Sequence, residues 1–247
     1  ISHQKLIDIT VAKGFNNVID AFHVVNRGNI PVEFYKKDYA NGKKRIILTD
    51  EIYKLQETPF ADNFALETES RWNLVETAWE LNISRNLLNV RYDEESKIFF
   101  VDSNFKRKDV TSARGALNGY QKGKCFYCFD DITVSGDDTN TCDVDHFFPH
   151  TLQHLFPDIN LDGVWNLVLT CPACNRGEGG KFARVPATKY LTRLHKRNEF
   201  LISSHHPLRE TIIRQTGATE QERRAFLASV DQRAIDALVH RWETPEV

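Results

Sequence analysis

Four of the five cysteines fall into two C-x2-C pairs, Cys125-Phe126-Tyr127-Cys128 and Cys171-Pro172-Ala173-Cys174. Each pair can sit on a tight knuckle turn and offer both thiolates to one ion. Two such knuckles complete a tetrahedral, closed, all-thiolate site for structural Zn²⁺. A redox pair would account for one C-x2-C but not for two, and disulfides are the weaker alternative in a chain read as cytoplasmic. Zinc bound in this way contributes on the order of 10 kcal/mol to folding. The long stretch from Cys128 to Cys171 exceeds the usual gap of a zinc ribbon, so something of size is inserted between the knuckles. Cys142 is left over and reads as a small buried apolar residue.

The insert carries Cys142-Asp143-Val144-Asp145-His146-Phe147-Phe148-Pro149. Alternation over Thr141–Asp145 predicts a strand with Asp145 and His146 at its end. Trp165-Asn166-Leu167-Val168-Leu169-Thr170 reads as a second strand running into the second knuckle, and Asn175 follows Cys174 at a helix start. A lone His is more often a core or surface residue than a catalyst. Here it stands inside Asp-His-x-x-Pro between two knuckles, beside a carboxylate that could hold a hard cation, and catalysis is the stronger reading. Asp143 is either an accessory ligand or a solvent-facing residue. His150 and His154 read as solvated loop histidines that could substitute as metal ligands or phosphate donors. Phe147, Phe148 and Trp165 read as packing.

Taken together, Cys125, Cys128, Asp145-His146, Pro149, Asn166-Leu167, Cys171, Cys174-Asn175 and Lys181 resemble the HNH endonuclease family, particularly its four-cysteine members. The likeness covers Cys125 to Lys181 and leaves the N-terminal hundred residues out. It implies a ββα-metal finger that hydrolyses DNA phosphodiester bonds with a divalent ion, Mg²⁺ or Mn²⁺. By that likeness His146 is the general base and Asp145 an ion ligand. Asn166 orients the His146 ring through its side-chain amide, and Asn175 stands at the second protein ligand, where the family often has His. An amide oxygen suits a hard cation better than a soft one. Lys181 comes later than the family's lysine, after a loop Gly177-Glu178-Gly179-Gly180 read as flexible, and either it or Arg176 is the expected phosphate contact. The stretch Tyr190–Thr216 is similar to the tail of HNH proteins from bacterial anti-phage and restriction systems. The expected setting is defence or restriction, with an ATPase or another defence-system protein as a gating partner.

The elements that must hold these residues divide the 247-residue chain into three expected regions. Residues 1–104 form an α+β region of target- or partner-binding role, 105–185 the nuclease finger with its zinc site, and 186–247 a helical region packed on it. The fold class is therefore α+β. Asn41-Gly42 between two apolar runs marks a hairpin over Pro31–Leu48. Helical spacing of Trp72, Val75, Ala78 and Trp79 predicts a helix over Glu67–Leu81, its aromatic stripe read as core. Asn89–Tyr92 and Ile98–Val101 predict a second hairpin. Thr219-x-x-Glu222 is a capping box opening a last helix to about Arg241.

The net charge of −2 argues against a generic nucleic-acid binder, but its distribution is uneven. Asn104–Lys124 carries +5, Cys125–Asn175 carries −8 with no Lys or Arg, and Arg176–Arg224 carries +6. An acidic metal centre between phosphate-gripping basic arms fits that pattern, as do ordinary solvated helix faces. No apolar run approaches the ~20 residues of a membrane helix and no secretory signal opens the chain, hence the expectation of a soluble, cytoplasmic protein with no membrane partner. The rival reading, from another class, is a zinc-stabilised DNA- or protein-binding module with a degenerate site.

Overall fold

The computed structural model describes residues 1–15, 19, 22–25, 28–58, 61–80, 90–103, 106–135 and 141–244. The chain is mixed α/β and divides into two compact units, Ile1–Ala61 and Asp62–Val247. The helix and the second hairpin expected within residues 1–104 lie in the second unit, and they share its core with Cys125 and Cys174.

The first unit holds helix α1 (His3–Lys13), a short pair β1 (Val24–Val25) and β2 (Gly28–Asn29), and a hairpin of β3 (Tyr35–Asp38) with β4 (Arg45–Leu48), followed by α2 (Asp50–Lys54). The hairpin is the expected one. Asn41 (φ 58°) and Gly42 (φ 73°) both take the left-handed conformation, which Asn tolerates and Gly adopts freely. Among the described residues of this unit none is fully buried.

In the second unit the expected helix appears as α3 (Ala61–Glu80), but its inner face differs from the prediction. Trp72 and Trp79 are 50% and 60% exposed and pack edge-to-face on each other, while Glu67, Ser70, Leu74, Thr77 and Ala78 turn inward. The reason is a close helix crossing. A Cβ on Gly115 of helix α4 (Ala113–Gln121) would lie 2.1 Å from Ser70 Oγ, and one on Gly119 would lie 2.9 Å from Glu67 Oε1. Indole rings do not fit such an approach. Glu67 is compensated by Arg71 at 2.6 Å and Lys122 at 2.8 Å. Leu81 and Asn89, where the sequence ends this helix and starts the next strand, lie outside the described residues.

The second hairpin is present as β5 (Arg91–Asp93) and β6 (Ile98–Ser103), joined by a third antiparallel strand, β7 (Lys106–Ser112). Next come the antiparallel pair β8 (Asp143–His146) and β9 (Leu167–Thr170) and the one-turn helix α5 (Pro172–Arg176). Three helices close the unit, α6 (Thr188–Ser203), α7 (Arg209–Thr216) and α8 (Glu220–Leu238), and the capping box of Thr219 and Glu222 is formed in full. The last helix stops at Leu238 rather than Arg241. Arg241–Trp242 instead forms a short strand, β11, parallel to β10 (Val185–Pro186). The core is continuous from α3 through the β8–β9 pair to α8, with Phe147, Phe148 and Trp165 at its centre as expected. No helix among the described residues is long and apolar enough to cross a membrane.

Arg197 and His206 are buried in this core. Arg197 donates to the carbonyls of Val164, Trp165 and Leu167, fixing the turn that leads into β9, and burial lowers its pKa to about 9. His206 accepts from the Leu208 N–H at 3.1 Å, and burial, followed by the nearby Arg71, Arg197 and Lys122 charges, pulls its pKa down to about 3. In the unfolded chain a histidine takes up its proton near pH ~6.5, so the unfolded state binds more protons below that value and stability falls as pH drops from about 6.5. We expect His206→Asn, which keeps an acceptor near Nδ1, to lose less stability than wild type per unit of acidification. The wild-type excess should approach ~1.4 kcal/mol per pH unit below 6, read from urea titrations at pH 7 and 5. Parallel slopes would show that His206 does not titrate on unfolding.

Candidate metal centre and cleft

The four cysteines meet as expected. The sulfur atoms of Cys125, Cys128, Cys171 and Cys174 all lie within 4.8 Å of one another, and Cys128 Sγ is 3.8 Å from Cys171 Sγ. A tetrahedron of Zn–S bonds near ~2.3 Å has edges close to that length, so the donor set fits a zinc ion. Each knuckle is built locally. Cys125 N–H donates to the Asp130 carbonyl and Phe129 N–H to the Cys125 carbonyl, closing the first turn. Cys171 is the N-cap of α5, its sulfur accepting from Cys174 N–H, with Pro172 at the first helical position. The Cys171 N–H also points at Cys125 Sγ, at 3.3 Å, which ties the knuckles together. Crowded thiols cannot all ionise alone. The hydrogen bond from Cys174 draws Cys125 down to about 5, while burial pushes Cys128 up to about 12 and the bond to Cys125 pushes Cys174 higher still. A divalent cation removes that conflict. Cys142 is fully buried, its thiol raised to about 12 by burial, and it is not part of the cluster.

The knuckles brace the β8–β9 pair. Gln121, at the end of α4, bonds Leu169 through both amide atoms at 2.6 and 2.8 Å, and Phe126 N–H also reaches the Leu169 carbonyl. On this frame Asp143, Asp145 and His146 of β8 and Asn175 and Arg176 of α5 line one cleft of about 550 Å³. Glu94, Lys97, Pro149, His150 and Lys181 are also among its lining residues. Asp145, buried to 6% exposure, accepts from Tyr127 Oη at 2.8 Å on one oxygen and from Lys181 Nζ at 3.0 Å on the other. Asp143 accepts from Asn175 Nδ2 at 3.0 Å and Arg176 Nε at 2.9 Å.

His146 is held from one side. Its Nε2 donates to Asp162 Oδ1 at 2.9 Å, and that bond keeps the Asp162 carboxyl below its usual range. With the proton on Nε2, the lone pair lies on Nδ1. The Tyr92 ring meets the imidazole edge-on at 5.9 Å. Asp162 and Tyr127 were not singled out by sequence reasoning. The only signal was the Asn160-Leu161-Asp162-Gly163 turn ahead of the second strand.

Three expected roles need correction. Asn166 does not contact the His146 ring. Its buried amide donates to the Phe148 and Leu161 carbonyls and accepts from Phe148 N–H, so it clamps the backbone beyond His146 while Asp162 orients the ring. Gly177-Glu178-Gly179-Gly180 is a tight turn rather than a flexible loop. A Cβ at Gly177 would meet the Ala173 carbonyl oxygen at 2.7 Å, and Lys181 N–H bonds the Cys174 carbonyl. Lys181 itself has no exposed surface and gives Nζ to Asp145 and to the His146 and Phe182 carbonyls, so it cannot reach a phosphate from this position. Arg176, exposed and bonded to Asp143, remains at the rim.

Much of the flanking positive charge is also paired within the chain. Lys122 pairs with Glu67, Lys124 with Asp131, and Arg114 bonds the Cys142 carbonyl. In the second flank Arg193 bonds the Phe126 and Tyr127 carbonyls, Arg197 is buried and Arg223 pairs with Glu199. The side chains of Lys106, Arg107 and Lys108 lie outside the description. No family model, curated protein or solved structure matches the chain.

Proposed function

We propose that the chain is an HNH-type endonuclease that hydrolyses DNA phosphodiester bonds, its ββα-metal finger being β8, β9 and α5 on the four-cysteine frame. The observation that carries the reading is the juxtaposition in one cleft of Asp145, Asn175 and a histidine whose far nitrogen is bonded to a carboxylate, Asp162. Such a histidine suits the general base, with Nδ1 left to take a proton from an attacking water. Asp162 acts through it, holding the tautomer and stabilising the imidazolium that forms.

The oxygen-rich set Asp143, Asp145 and Asn175 fits Mg²⁺ or Mn²⁺. The hydrogen bonds already made by Asp145 use only two of the roughly four lone-pair positions on a carboxylate. An ion held by Asp145 and Asn175 would neutralise charge on the phosphate and the leaving oxygen. Among the described residues, Lys97 and Arg176 line the cleft and are cations that a DNA strand could meet.

One observation favours the rival reading of a zinc-stabilised binding module. Lys181 already neutralises Asp145, as an ion would. Plasmid nicking separates the two. The wild type is expected to nick in Mg²⁺ or Mn²⁺ and not in EDTA, and His146→Ala to lose about a hundredfold or more in rate. No nicking by the wild type in either metal favours the binding module, and nicking that survives His146→Ala overturns the site.

A further inference from the structure

We propose that Glu94, His146 and His150 form a second cation site in the cleft. It would take a borderline-soft divalent ion such as Zn²⁺ and, when filled, withhold the general base of the proposed reaction. The ligating atoms of these three residues lie within 4.8 Å of one another. They come from two segments about fifty residues apart in the sequence. The turn between β5 and β6 supplies Glu94, and the end of β8 and the turn after Pro149 supply the two histidines. Glu94 Oε2 stands 3.9 Å from His150 Nδ1, and the two imidazole centroids are 5.2 Å apart.

Donor atoms around a four-coordinate zinc ion, with bonds of about 2.0–2.1 Å, are roughly 3.4 Å from one another. The set must therefore close by about an ångström. The two residues that would move are the free ones, since the Glu94 and His150 side chains are 49% and 52% exposed, whereas His146 is buried at 5%.

The bond from His146 Nε2 to Asp162 is a second, independent pointer. A histidine that binds a metal through one nitrogen almost always gives the other N–H to a carboxylate, carbonyl or water, which fixes the tautomer and raises the ring's basicity. Asp162 does this for His146 and leaves Nδ1 as the donor. Two imidazoles and one carboxylate select Zn²⁺, Co²⁺ or Ni²⁺ over Mg²⁺ and Mn²⁺, and three protein ligands leave a position open to water or a phosphate oxygen. The cleft thus offers two ion sites of different chemistry. The oxygen-rich one at Asp143, Asp145 and Asn175 suits Mg²⁺, and the nitrogen-rich one shares His146 with the reaction. Filling the second takes the Nδ1 lone pair that would accept the water's proton.

The inhibitory half rests on the nuclease reading, and the binding half does not. Protein with its four-cysteine site loaded, cleared of loosely held metal, is titrated with Zn²⁺ by calorimetry and with Co²⁺ by visible absorption. One further equivalent is expected, with affinity reduced more than about tenfold in Glu94→Gln and in His150→Ala and the cysteine-bound zinc unchanged. No further equivalent at high micromolar metal, or one that both variants leave untouched, overturns the site. In Mg²⁺-driven nicking, added Zn²⁺ is expected to stop the wild type at concentrations where Glu94→Gln continues. Equal inhibition of both overturns the inhibitory role. A wild type that binds the extra ion yet never nicks retains the site and removes the nuclease reading.

Discussion

Replacing Cys171 by serine is expected to release the zinc and unfold the unit from Asp62 onward. The substitution isolates the metal, because serine is a good N-cap and can still accept the Cys174 N–H that the thiolate now accepts. What it cannot supply is the fourth soft ligand. Structural zinc contributes on the order of 10 kcal/mol in small modules, comparable with the ~5–15 kcal/mol of a whole domain. The position makes the loss general. The second knuckle leads straight out of β9, and the first bonds that strand through Phe126. Losing the ion therefore loosens the strand pair that carries Asp145 and His146. The variant should hold no zinc at that site and melt far below wild type, with EDTA doing the same to the wild type more slowly. Unchanged zinc content and Tm would show that the sulfur cluster binds no structural ion.

The parts of the centre that sequence reasoning reached are those written locally. A C-x2-C pair makes its own knuckle from a few neighbouring residues, and alternation around Asp145 forces a strand, so the cysteines and the Asp145-His146 pair were legible. The Asn41-Gly42 turn and the Thr219–Glu222 capping box are local in the same sense, each closed by bonds between residues three apart. Asp162 was not legible. The turn before β9 that carries it is held by Asn166 and by Arg197, and Arg197 lies more than thirty residues further along the chain. The outward tryptophans of α3 escaped for a related reason. Periodicity finds the stripe of large apolar residues, but glycines on another helix decide which face can approach. Charge counting is limited differently, because it cannot tell a solvated lysine from one paired within the chain.

Lys181 is the sharpest instance, and its removal should be costly. Lys181→Met keeps the length and most of the volume of the side chain but takes away three donated hydrogen bonds and the cation paired with Asp145. Breaking a buried ion pair from one side costs about 3–5 kcal/mol, because the partner charge stays behind with too little to solvate it. The bond from Tyr127 to Asp145 survives and is insufficient alone. The double variant Asp145→Asn with Lys181→Met should recover part of that loss, since the amide carries no charge to strand, and urea denaturation at fixed zinc gives the cycle. The same comparison bears on the ion. An Asp145 stripped of its ammonium partner is a better site for a divalent cation, so Mg²⁺ or Mn²⁺ should raise the Tm of Lys181→Met more than that of the wild type. If the single variant is as stable as the wild type, or is rescued neither by metal nor by the second substitution, then Lys181 does not act through Asp145. In that case the ammonium matters only for the two carbonyls it also binds, and it does not stand in for the ion.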